Sequence, residues 1–325
     1  MIELKNNIPI LIIGYQRPEK VKTLIETCLK YYPQKIYVAI DGPKNDLEKA
    51  KTDELEKISV ELLKNSKQEF RIWKRDKNLG LGVSVISAID WCFQSESKLI
   101  ILEDDILPNE SFFDFISNNF KLIDQKEEIL MISGTNFFNQ MDKSEIYACN
   151  YPLIWGWATS KEKWQDIKRG IFFPTVPSRN NISGKVMNYW KVGADRVRSG
   201  LVDTWDTPLA EYMICANKIC IYPPVNLVKN IGNDEFATNT KSFSNLLNQK
   251  THIINEFTSS EIVLYPEEIC RENKKYEINV FNIRFKHRFL PIFSALTDWF
   301  IFRNRKPPLL ERISTVKYPI KSSNA

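Results

Sequence analysis

Short apolar runs, each closed by turn-forming or charged residues, alternate with longer amphipathic stretches through most of the chain. Ile8 to Gly14 (IPILIIG), Lys35 to Ile40, Glu69 to Lys74, Leu99 to Leu102, Ile129 to Ser133 and Ile219 to Tyr222 have the length and apolar content of buried strands. Between them, the spacing predicts helices. Pro18 to about Tyr32 carries Leu24, Ile25, Cys28 and Leu29 on one stripe, and Lys44 to Ser66 turns Leu55, Ile58, Leu62 and Leu63 inward. A third helix runs through Ile86, Ile89 and Trp91, and a fourth, opened by Pro108 and Asn109, carries Phe112, Phe113, Ile116 and Phe120. Met187 to Val197 predicts a further helix, while Arg169 to Asn188, rich in Pro, Ser, Asn and Gly, predicts a loop able to close over a ligand. Strand and helix in alternation predict an α/β fold: a Rossmann-like, mixed but mainly parallel sheet flanked by helices. The 325 residues suffice for such a core.

The predicted strands end in chemistry. Open α/β sheets bind ligands beyond the carboxyl ends of their strands, and here those ends read Gly14-Tyr15-Gln16-Arg17-Pro18, Asp41-Gly42-Pro43, Asn78-Leu79-Gly80-Leu81-Gly82 and Glu103-Asp104-Asp105. Three adjacent carboxylates repel one another and call for a compensating cation. Side chains alternate along an extended chain, so Glu103 and Asp105 are expected on one side and Asp104 on the other, dividing a metal and a sugar hydroxyl between them. Oxygen-only ligands favour Mg²⁺ or Mn²⁺ over zinc. The plain alternative is a solvated acidic turn, and its place after a wholly apolar strand favours the functional reading.

Each further candidate has a structural alternative beside it. Arg17 suits a phosphate or a base, or is simply solvated. Asp41 suits a uracil N–H or a ribose hydroxyl, or caps its turn. Gly80 and Gly82 open backbone N–H groups to an anion. Tyr151, Trp155, Trp157 and Trp164 suit a wall on which sugar rings stack, or a core. Asp203 and Asp206, bracketing Trp205, suit capping of the helix carrying Leu209, Tyr212 and Met213.

Composition narrows the class. Hydrophobic and charged fractions of 43% and 26% are those of a soluble globular protein. The net charge of +5 is concentrated late: Arg271 onward holds 12 Lys/Arg against 4 Asp/Glu, and the rest 33 against 36. Six cysteines without metal or redox spacing, no signal-like start and no bilayer-length apolar run predict a reduced, cytoplasmic protein. Arg284 to Arg305 interleaves cations with aromatics and predicts either peripheral docking on an anionic membrane, at the inner face of the plasma membrane, or a packed helix with a solvated basic face. No nucleic-acid signature accompanies it. His252 and His287 alone give no basis for a His-centred mechanism.

In their order along the chain, these landmarks resemble nucleotide-sugar glycosyltransferases of the GT-A fold, especially relatives of N-acetylglucosaminyltransferase I and bacterial polysaccharide-biosynthesis enzymes. The resemblance implies that Asp105 holds Mn²⁺ or Mg²⁺ against the donor diphosphate and that Glu103 and Asp104 face nucleoside and donor sugar. It implies donor contacts for Arg17, Asp41, Asn78 and Trp157, the last within Gly156-Trp157-Ala158-Thr159, and a catalytic carboxylate at Asp206. Asn239 stands where such enzymes often have a His. The implied layout is a catalytic domain over 1–240, its donor half about 1–136 and its acceptor half about 137–240, followed by a basic, aromatic extension over 241–325. The implied reaction is inverting transfer from a nucleotide sugar, UDP-linked by resemblance, to a hydroxyl of a glycan or lipid-linked oligosaccharide in surface polysaccharide synthesis. A sugar-nucleotide nucleotidyltransferase is the enzymatic alternative, although Gly14 alone replaces the glycine-rich loop such enzymes carry after their first strand. A carbohydrate-binding protein without catalysis is the other.

Overall fold

Four strands, Ile10–Gly14 (β1), Lys35–Ile40 (β2), Glu69–Lys74 (β3) and Lys98–Glu103 (β4), lie parallel in the order β3-β2-β1-β4. The structure is a computed structural model that describes residues 8–31, 33–138, 146–177, 182–232, 250–253, 266–284, 286–287, 290–291 and 306–319. Asn233 to Thr240, with Asn239, and most of Arg284 to Arg305 fall outside the described residues, and so do the expectations placed on them.

The sheet continues through Trp157–Ser160 (β8), Ile129–Ser133 (β6), Ile219–Tyr222 (β9) and Tyr147–Cys149 (β7). Only β8 and β7 run against the rest, so six of the eight strands share one direction. The fold is thus mixed α/β with a mainly parallel sheet. Alternation along each strand feeds two cores. On one face, Leu11, Ile13, Leu99 and Ile101 meet Leu81–Phe93 (α3), Lys161–Phe172 (α6), Gly184–Arg198 (α7) and Asp206–Cys215 (α8). On the other, Ile10, Ile12, Ile100 and Leu102 meet Pro18–Leu29 (α1), Asp46–Lys64 (α2), Glu110–Asn119 (α4) and Lys121–Gln125 (α5). Because both faces are covered, β1, β2 and the centre of β4 read as continuous apolar runs, whereas the edge strand β3 is only partly buried.

The structure departs from the sequence expectations in three places. Pro108 does not open α4: it ends a three-residue strand, Ile106–Pro108 (β5), paired antiparallel with Val228–Asn230 (β10), and Asn109 then caps α4 by accepting from the Phe112 N–H at 3.1 Å. The tryptophan-rich stretch, not among the predicted strands, supplies one. Gly156 takes φ +69°, and the chain re-enters the sheet as β8 between β4 and β6. The loop expected over Arg169 to Asn188 is shortened from both sides by α6 and α7, whose apolar stripes the Pro, Ser and Asn content concealed.

The described helices of the last part of the chain pack on the sheet and its helices. Pro266–Lys275 (α9) and the π-helical turn Tyr276–Val280 pack beside β7 and β9, with Tyr222 Oη donating to Glu272 at 2.9 Å. Leu309–Ser314 (α10) lies against α3 and inserts Leu309, 1% exposed, into the first core. No described helix is long and apolar enough to cross a membrane. All six cysteines are free, and five are buried.

Candidate active site at the carboxyl edge of the sheet

Parallel pairing brings the turns after β1 to β4 to one edge. Glu103 lies in register with Ile13, and the Asp41 N–H donates to the Gly14 carbonyl at 3.1 Å. Beyond Glu103 the chain cannot wander. The β5–β10 ribbon fixes it, and the Ile231 N–H donates to the Asp105 carbonyl at 2.7 Å. The three acids are therefore held by backbone on both sides.

Their charge is only partly compensated. Asp104, 8% exposed, accepts from the Arg17 guanidinium at 2.8 Å and from the Tyr15 N–H at 3.1 Å. The same Arg17 nitrogen stands 3.5 Å from the Asp105 carboxylate. Asp104 and Asp105 thus share one cation. Lys20, one turn along α1, donates to the Ile231 carbonyl at 2.8 Å and adds positive charge near Asp105. Glu103 has the least relief. Burial, then the charges of Asp105, Asp104 and Asp206, push its carboxyl up to about 8 against the opposing pull of Arg17. Burial and Asp104 push Asp105 up to about 6 against Arg17 and Lys20.

A hard divalent cation fits this donor set. Carboxylates raised by burial and by one another's charge, with Arg17 and Lys20 compensating only in part, would be stabilised by a cation, and oxygen ligands suit Mg²⁺ or Mn²⁺. Among the described residues, no three His, Cys, Asp or Glu side chains are grouped to hold a metal by themselves. The protein would then supply one or two carboxylates, with the remaining oxygens coming from phosphate or water, which is how Mg²⁺ is commonly held.

Asp206 reaches this edge from about a hundred residues further along the chain. It opens α8, accepts from the hydroxyls of Thr204 at 2.5 Å and Thr207 at 3.5 Å, and its charge is felt at Glu103. The other two acids near it are committed elsewhere. Glu211, 2% exposed, pairs with Arg198 at 2.7 Å, and Asp203 pairs with Lys306 at 2.6 Å and Arg312 at 3.1 Å. Among the described residues Asp206 has no such cation.

Trp157 sets Asp206 in place and offers no ring face to a sugar. Its side chain is 1% exposed and stacks on Trp205, also 1% exposed, with centroids 5.7 Å apart and planes 23° from parallel. This removes Trp157 from the expected sugar wall. As the first residue of β8, opposite Ile101, Trp157 turns into the core, where its indole holds the residue immediately before Asp206. Trp164 and Tyr151 are buried in the same core.

The turns after β2 and β3 are tied together. Asp41 accepts from the N–H groups of Gly42 at 2.9 Å and Leu79 at 3.0 Å and from the Asn78 amide at 3.0 Å, while that amide also donates to the Gly42 carbonyl at 3.1 Å. Burial raises the Asp41 carboxyl, against those backbone donors and Arg75. The turn-bracing alternative for Asp41 is the one this geometry realises. The N-terminus of α3, expected to offer N–H groups to an anion, meets one from the protein itself: the Gly82 N–H points at Asp203, 3.4 Å away.

Three contributors escaped the sequence reading. Lys20 shares the first turn of α1 with Arg17, a spacing that was a usable signal. Tyr189 of α7, whose phenol is raised by burial and by the charge of Asp206, and Arg312 carry no local signal at all.

No protein-family model matches the chain, and a search of curated proteins returned no match. Among solved structures, the chain is similar to a UDP-glucose pyrophosphorylase complexed with UDP-glucose, at 8% identity and TM-score 0.33 over 67% of this chain and 90% of that one. It is similar to an apo UDP-glucose pyrophosphorylase at 9% and 0.35 over the same shares. HddC from Yersinia pseudotuberculosis overlaps at 13% and 0.30 over 49% of this chain and 79% of its own. These overlaps assign no role to any residue here.

Proposed function

We propose that this chain is a metal-dependent, inverting glycosyltransferase of the GT-A type, moving a sugar from a nucleotide donor, UDP-linked by resemblance, to a hydroxyl of a glycan or lipid-linked oligosaccharide. The observation that carries the reading is the Glu103-Asp104-Asp105 cluster, fixed by backbone at the carboxyl end of β4 and only partly compensated by Arg17, with the charge of Asp206 acting on Glu103. Asp206, which has no cation partner among the described residues, thereby adds a further carboxylate to the sheet edge where α/β folds take nucleotides.

A divalent cation held through Asp105 would neutralise a diphosphate and stabilise it as it leaves. Arg17 and Lys20 add fixed positive charge beside that position. Asp206, at the mouth of α8, accepts the proton of the attacking hydroxyl, and attack from the face opposite the leaving group inverts the anomeric carbon. Asp41 and Asn78 hold the turns that frame the nucleoside side. Glu103 and Asp104 remain for donor hydroxyls. Trp157 is withdrawn from direct donor contact.

The test is a panel of nucleotide sugars screened by thermal shift with and without Mn²⁺, followed by transfer assays. Metal-dependent stabilisation by one donor, lost in Asp105→Ala and kept in Asp206→Asn, with transfer lost in both, is the expected result. Full transfer by Asp206→Asn would remove its role as base. Release of pyrophosphate from a nucleoside triphosphate and a sugar 1-phosphate would replace the reading with nucleotidyl transfer.

A further inference from the structure

We propose that Arg312 is a positioning residue for the reaction above, on which this inference rests: its guanidinium clasps the loop after β3 to the loop before α8 and thereby sets Asp206 against the β4 acids. The fork of Arg312 reaches two segments far apart in sequence. One nitrogen donates to the Leu79 carbonyl at 2.6 Å, and the other to Asp203 at 3.1 Å. Asp203 takes its second partner, Lys306, at 2.6 Å and faces the Gly82 N–H at the start of α3. Asp203 stands three residues before Asp206, and the residue after it, Thr204, donates its hydroxyl to the Asp206 carboxylate. The line from Arg312 to the proposed base therefore has two steps, Asp203 and Thr204.

The glycines of the Asn78 to Gly82 turn make room for this clasp. Gly80 sits at φ +80°, and a Cβ there would collide with the Asp203 carboxylate and crowd the Arg312 guanidinium. A Cβ on Gly82 would stand 2.6 Å from the Thr204 carbonyl oxygen. Both approaches serve the 203–204 loop. The segment that delivers Arg312 is itself anchored on both sides: the Lys306 N–H donates to the Gly200 carbonyl at 3.2 Å, Leu309 is buried, and Tyr318 donates to Asp90 at 3.3 Å while packing on Trp73. Lysine cannot take the place of Arg312, because a compact ammonium lacks the planar fork that spans two acceptors.

The experiment compares the full-length wild type with Arg312→Ala, Arg312→Lys and Asp203→Asn, by hydrogen exchange and by steady-state transfer below each variant's melting temperature. Arg312→Ala is expected to raise exchange in residues 78–82 and 200–206 together and to lower kcat by up to about 100-fold, the scale of a small misplacement of reacting groups, with donor KM little changed. Arg312→Lys is expected to keep the charge without restoring kcat, and Asp203→Asn to reproduce the kcat loss. Faster exchange confined to 306–319, or a lowered melting temperature with unchanged kcat, would overturn the proposal and leave a purely structural strap. Absence of transfer by the wild type would overturn the positioning role along with the glycosyltransferase reading, while joint exchange of the two loops would still locate that failure in the reaction rather than in the clasp.

Discussion

Glu103 is the residue whose chemistry the fold changes most. Its carboxyl, ordinarily at 4.5, stands at about 8 when folded, so between these values the native state binds more protons than the unfolded chain. Stability must then fall as pH rises through that window, since the unfolding free energy increases with pH only where the unfolded state binds more protons. Thermal melts of the metal-free protein are expected to show a decline from pH 5 to pH 8 that Glu103→Gln flattens. A cation binds the ionised form and releases protons, so stabilisation by Mn²⁺ should grow over the same range. At Asp206 the expectation concerns rate: Asp206→Asn should lower kcat by about 10²–10⁴-fold, the ordinary worth of a positioned base, with donor-induced thermal shift retained.

At the scale of elements, β8 and α8 act as a pair. The Trp157–Trp205 stack welds the start of one to the start of the other, and the end of β4 pairs with the start of β8. Trp157→Ala is expected to cost about 3–5 kcal/mol in chemical denaturation, as for other large aromatic deletions from a core. A side chain that merely stacked on a bound sugar would instead lose donor affinity with little change in stability. The apolar runs made β2, β3, β6 and β9 legible to the residue because each is bounded by turn or charged residues. No apolar run bounded in this way marks β5, β8 or β10, and their pairing comes from partners elsewhere in the chain.

For the whole molecule, the basic C-terminal part belongs to the body as well as to its charge balance. Ile269, Tyr276, Val280 and Leu309 sit in the two cores of the sheet. Leu309→Ala is accordingly expected to lower global stability by about 2–5 kcal/mol in a denaturant titration, where a residue on a peripheral tail would change it by less than about 0.5 kcal/mol. Contact between α10 and α3 also makes the far end of the chain a neighbour of the turn after β3, which the order of residues does not suggest.

Local pattern determined the alternation of strands and helices, the apolar faces and the delivery of three acids to the end of β4, because periodicity and turn chemistry act over a few residues. Tertiary structure alone decided which carboxylates are neutralised and which ring faces are covered. Asp203 finds Lys306 and Arg312, Glu211 finds Arg198, and Asp206 accepts only from hydroxyls among the described residues while its charge acts on Glu103. Trp157 turns inward for the same reason. Charge compensation and burial depend on neighbours in space, and here those neighbours come from segments that the sequence keeps far apart.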